Sequence, residues 1–147
     1  DLAVVSAPRK GMMFERNVND LGGVTLRPKN GAVFSVQEPA GILKRMLRES
    51  LSVAIHEPTS TVGVTNPEGD IVTFWHLLEG RFLGSLDVQG PRGIALTLDG
   101  QEFLVTHGKG RSLSFVSPET LEIVDTRELT DPVLTGSHIV VHNLPMG

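Results

Sequence analysis

The segment VGVTNPEGDIVTFW at residues 62–75 recurs 41 residues later as FLVTHGKGRSLSFV at 103–116. Val64, Thr65, Gly69 and Phe74 return as Val105, Thr106, Gly110 and Phe115, and Ala54 returns as Ala95. Identities held at one offset, with the same order of apolar runs and turns between them, describe one supersecondary unit written twice. Such a unit cannot bury its apolar faces alone, so its neighbour must supply the cover. That requirement narrows the possible folds more than any other feature of the chain.

Runs of four to seven residues rich in Val, Ile, Thr and Phe, punctuated by Gly, Pro and Asn, read as short antiparallel strands. In the first copy they fall at residues 51–56, 61–66, 70–75 and 81–86. In the second copy they fall at 92–97, 102–107, 111–116 and 121–127. Four strands in about 40 residues is the pattern of a β-propeller blade. LAVVSA, GVTLR and AVFSV near the start read as the last three strands of an earlier blade, and SHIVVH at 137–142 as the first strand of a later one. Asn30-Gly31 and Asp99-Gly100 are expected to take the positive φ angles of tight hairpin turns.

One stretch breaks the pattern. EPAGILKRMLRES places Ile42, Leu43, Met46 and Leu47 at helical spacing, with Lys44, Arg45 and Arg48 turned away and Pro39 suited to a first helical turn. The chain therefore divides into a blade end at 1–38, a helix at 39–50, blades at 51–90 and 91–130, and the start of another blade at 131–147. The fold class is all-β, a partial propeller with one short helix. Three partial blades do not close a ring, so the remaining blades or another copy of the chain are expected as partners. The chain opens DLAVVSAPRK without a Met, which reads as a processed or truncated start.

Composition removes several kinds of chemistry. With no cysteine, disulfides, thiolate zinc sites and iron–sulfur clusters are excluded. A net charge of −4 with interspersed signs argues against a nucleic-acid binder. No apolar run approaches the roughly 20 residues of a membrane span. His138 and His142 have the spacing of helical metal ligands, but Ile-Val-Val between them favours a strand, where four residues span roughly 13 Å. One metal ion does not bridge that distance. HGKGRS at 107–112 offers glycines and cations without the rest of a phosphate loop. Ser137 beside His138 is not a catalytic pairing without supporting geometry. No catalytic residue, metal site or cofactor is assigned.

In a propeller, the loops joining second and third strands share a rim with the loops between blades. That geometry gathers Asn66, Glu68, Arg92, His107, Lys109, Arg111 and His138 on one rim, the expected place for a small ligand, and sends His56 and His76 to the other. Val64, Val105, Phe74 and Phe115 are expected to be buried at equivalent positions.

The stretch LKRMLRESLSVAIHEPTSTVGVTNPEGDIVTFWHLLEGRFLG, followed by GIALTLDGQEFLVTHGKG, resembles the later blades of a bacterial family of seven-bladed propellers. That family carries the domain-of-unknown-function number 1513. In it a short helix leads into a strand of SVAVS type and then a hairpin of AVTSPRGG…VWD type, here SVAIH and GVTNPEGDIVTFW. The usual W-D at the end of the third strand is replaced by Phe74-Trp75-His76 and Phe115-Val116-Ser117. The resemblance covers about the last half of such a protein and implies an exported, periplasmic protein of Gram-negative bacteria, encoded near imelysin-like and other iron-uptake components. Its histidine-bearing turns lie in earlier blades, so no site carries over. The expectation is a non-enzymatic binding or assembly scaffold whose protein partner or small ligand is unnamed. The alternative is a metal-dependent hydrolase or lactonase with its site in the central channel. A haem-bearing redox propeller would need histidines from other blades.

Overall fold

The computed structural model describes residues 1–7, 21–130 and 138–143. They form three antiparallel sheets. The first holds β1 (Leu2–Ser6), β2 (Gly23–Arg27) and β3 (Phe34–Ser35) in that order. The second holds β4 (Ser52–His56), β5 (Thr61–Asn66), β6 (Ile71–His76) and β7 (Phe82–Asp87). The third holds β8 (Ile94–Leu96), β9 (Phe103–His107), β10 (Ser112–Val116) and β11 (Ile123–Glu128). Each four-stranded sheet is a simple meander, and neighbouring sheets pack face to face, as propeller blades do.

Much of the hydrogen bonding recurs at the repeat offset. Leu51 N–H donates to Thr65 O at 2.9 Å, and Arg92 N–H donates to Thr106 O at 2.8 Å. The His76–Arg81 turn bond (2.8 Å) returns as Ser117–Glu122 (3.0 Å), and Val88–Asp70 (3.2 Å) returns as Leu129–Arg111 (2.7 Å). Pro67–Gly69 and Gly108–Gly110 are both single 3₁₀ turns between second and third strands. Register slips at Phe74/Trp75 and again at Phe115/Val116. The extra residues are Leu83 in β7 and Val124 in β11, so β6 keeps its ordinary alternation, which buries Phe74 and the adjacent Trp75 on opposite faces of the sheet.

Two apolar layers separate the sheets. Between the first and second lie Val24, Leu26, Met46, Val62, Val64, Trp75 and Leu77, with Phe34, Val36 and Phe82 at the margin. Between the second and third lie Val72, Phe74, Ile94, Phe103, Val105 and Val116. The Phe74 and Phe103 rings meet at 5.8 Å between centroids. β1 ends at Ser6, whose carbonyl accepts Ser50 N–H just ahead of β4 (3.1 Å). It therefore runs against β4, in the direction of the second strands β5 and β9.

Four expectations need correction. The helix is not 39–50 but α1, Ala40–Leu43, a single turn. Beyond it Met46 O accepts Gly22 N–H at 2.7 Å, Leu47 bridges to Leu21, and Arg48 takes a φ of 59°. Pairing with residues 21–22 thus takes the backbone groups that a longer helix would use internally. At Asn30-Gly31 neither residue takes a positive φ. The turn runs from Pro28 O to Gly31 N–H (2.9 Å), placing Gly31 at the closing position rather than a central one. In the other hairpin Gly100 does take a positive φ, of 72°. Residues 138–143 form no strand, and Ser137 lies outside the described residues. Finally, Val64, Val105 and Phe74 are buried as expected, whereas Phe115 is only partly so.

Candidate functional site

The rim carrying the turns at 67–69 and 108–110 brings the expected residues to one side of the molecule without converging them. Asn66 closes β5 and is fully buried; its Nδ2 donates to Ser50 Oγ (2.9 Å) and Glu49 O (3.3 Å), while Oδ1 has no partner among the described residues. Glu68 faces Arg48 at 3.5 Å, on a partly exposed surface. Arg92 is partly buried, and its backbone joins the second sheet to the third, with Thr65 Oγ1 donating to Arg92 O at 2.6 Å. Lys109, at a φ of 60°, and Arg111 are both exposed. His138 is exposed and lies against β8: a Cβ at Gly93 would come within 3.1 Å of the His138 carbonyl carbon. His142 is exposed on the same extended stretch.

His107 ends β9 at the position of Asn66. Its Nε2 is 2.8 Å from Ser114 Oγ, which is 2.8 Å from Thr126 Oγ1, a polar chain running across β9, β10 and β11. Burial holds the His107 imidazole below its ordinary pKa, because a partly desolvated ring resists charging. Ser114 is itself 1 % exposed, so the arrangement supplies sheet cohesion rather than an accessible nucleophile.

The basic face expected on the helix is largely consumed. Arg45 pairs with Asp87 and also reaches Gly69 O at 3.3 Å, while Arg48 faces Glu68. These arginines tie the helical segment to the second sheet. Among the described residues, no group of three His, Asp or Glu converges as a metal cluster would require.

The opposite rim holds what the sequence reading passed over. His56 Nδ1 lies 2.8 Å from Thr59 Oγ1, Thr59 donates to Thr61 (2.8 Å), and Thr61 donates to Pro118 O of the third sheet at 3.5 Å. Beyond these bonds, an open cleft of about 550 Å³ runs between Phe34–Pro39 and Glu79–Phe82. Phe34, Val36, Pro39 and Phe82 give it apolar walls; Glu38, Glu79 and Arg81 stand at its margins. Arg81 Nε donates to Glu79 Oε2 at 3.0 Å, and His76 Nδ1 is 3.7 Å from the same oxygen. The two segments that make this cleft, 34–39 and 79–82, are far apart in the sequence and adjoin different sheets, so no local motif announces it.

Stacked four-stranded meanders of this kind define a β-propeller-type array. The solved WD40 repeats of RRP9 share it with a TM-score of 0.53 at 12% identity, over 71% of this chain and 32% of that one. Hydrazine synthase of Kuenenia stuttgartiensis does so with a TM-score of 0.50 at 23% identity, over 56% of this chain and 24% of that one. At these identities the likeness concerns the fold alone, and the chain spans about a quarter to a third of those structures. The chain belongs to the family described as "Protein of unknown function (DUF1513)", which matches residues 9–139. No curated protein matches it. No helix among the described residues is long and apolar enough to cross a membrane.

Proposed function

We propose that the chain contributes consecutive blades to a larger, seven-bladed propeller, of which it forms the C-terminal half. The propeller serves as a non-enzymatic binding or assembly scaffold in the periplasm, in association with iron uptake. The blade count, location and iron link follow the family resemblance. The scaffold reading is carried by one observation: the side of the third sheet facing away from the second bears Phe115, only partly buried, and Val124, 54 % exposed. The corresponding side of the second sheet is packed beneath the third. Apolar positions that are packed in one unit and left exposed at their counterparts in the next mark a surface shaped for another blade or partner.

Light scattering tests this directly. The chain should self-associate, and Val124→Lys should shift it toward monomer. A cooperative, stable monomer of the unmodified chain would overturn the incomplete-array reading. Lactone or phosphoester hydrolysis that is lost with removal of a bound metal would replace the scaffold with the hydrolase.

A further inference from the structure

We propose that the cleft beside β3 is a docking groove for a short extended peptide carrying basic side chains, which adds a strand to the outer edge of the first sheet. Among the described residues β3 is an edge strand of that sheet, and only two residues long, whereas β7 and β11 each have six. Val36 N–H donates to Val24 O at 3.0 Å. In an antiparallel ladder the flanking residues face the other way, so the N–H and C=O groups of Ser35 and Gln37 point away from β2. A row of outward backbone groups on an edge is a template for a further strand.

The cleft is built to receive one. It is lined by every residue from Phe34 to Pro39, the edge strand and the segment that follows it. Its volume of about 550 Å³ has the scale of a few residues of chain rather than a whole domain. Across it stand Phe82 and the turn through Glu79, Gly80 and Arg81, so an added strand would turn alternate side chains against Phe82. Charge selects the occupant. Glu79 and Arg81 offset one another, which leaves the exposed carboxylate of Glu38 as the uncompensated charge at the cleft, in a chain whose net charge is −4. A basic strand is favoured and an acidic one repelled.

The inference deepens the scaffold reading by naming a partner chemistry. It stands or falls on peptide binding, while the scaffold reading stands or falls on association state and turnover. The test titrates the full chain, followed by NMR, with three synthetic probes: acetyl-Lys-Val-Thr-Val-Lys-amide, its Glu-for-Lys counterpart, and the Lys peptide N-methylated at alternate amides. The Lys peptide should bind with shifts centred on residues 34–39 and 79–82. The N-methylated form should bind about tenfold more weakly for the loss of edge hydrogen bonds. The variant E38K, at an exposed position, should weaken the Lys peptide and strengthen the Glu peptide without altering the fold. Absence of binding by the Lys peptide, equal binding of all three probes, or shifts located elsewhere would overturn the proposal.

Discussion

The second and third sheets share a backbone and differ in their company. Phe74 of the second is fully buried against Phe103, while its counterpart Phe115 is partly exposed and carries the Arg127 guanidinium 4.7 Å above its ring. Leu83 and Leu86 pack into the layer between the sheets; at their counterparts stand Val124, largely exposed, and Arg127. Gly84 admits Leu121 of the next sheet, where a Cβ would approach Leu121 Cδ1 to 3.0 Å; its counterpart is Asp125. The ladder is thus encoded within each unit, while burial is a property of the pair. The third sheet also differs at its outer strand, where Asp125, Arg127 and Glu128 keep an exposed edge polar. Whatever covers this sheet meets apolar side chains at β10 and charge at β11.

The sharpest way to break this comparison is to truncate both phenylalanines. Phe74→Ala should cost about 3–5 kcal/mol of unfolding free energy in urea, as for a fully buried ring. Phe115→Ala should cost less than half as much, because water already reaches it. Equal losses would show that the far side of the third sheet is covered in solution.

A smaller effect comes from the threonines that recur. Thr65 Oγ1 accepts Ser52 N–H at 3.1 Å, and Thr106 Oγ1 accepts Gly93 N–H at 2.8 Å, each at a buried position. Thr65→Val and Thr106→Val should each cost about 1–3 kcal/mol by leaving a buried donor unsatisfied. The Thr65 variant should be the worse, because that hydroxyl also serves Arg92 O in the next sheet. The measurement is again urea unfolding, and a reversed order would remove the special standing of the link between sheets.

The smallest difference separates Asn66 from His107, one of which titrates. His107 has its folded-state pKa depressed below 6.5 by burial, so the unfolded chain binds the proton more readily. Its contribution is whole above about pH 6.5 and is lost progressively as pH falls toward the folded-state pKa. Wild type should therefore lose more stability between pH 7.5 and 5.5 than His107→Asn, which copies the second sheet. Parallel losses would place the imidazole in open solvent.

Much of this architecture was legible because a strand is a local object and a repeat multiplies the signal. The limits of β5, Thr61–Asn66, coincide with those read from the sequence, and the Thr and Gly recurrences mark real hydrogen bonds and turns. What escaped depends on contacts distant in sequence. The helical spacing reported the apolar packing of Ile42, Leu43 and Met46 faithfully, but one turn of helix plus pairing with residues 21–22, through Leu47, satisfies it as well as three turns would. The rim residues share a side, as propeller geometry implies, yet Asn66 spends its amide donor inward and Glu68 meets Arg48. The peptide cleft joins the end of one sheet to a turn of the next, a proximity that no single stretch contains.

The bonds joining the second and third sheets also have a mechanical meaning. Near one rim Ile94 N–H donates to Ser52 Oγ (3.3 Å) and Thr65 reaches Arg92 O; at the other, Thr61 reaches Pro118 O and the His56 and Phe103 rings meet at 6.2 Å. A pair of plates clasped at one end opens like a book, each contact yielding in turn. Plates clasped at both ends have no free margin to pry, so a pull on the chain loads both fastenings at once. The junction is a riveted lap rather than a hinge, and tension along the array is passed from one sheet to the next.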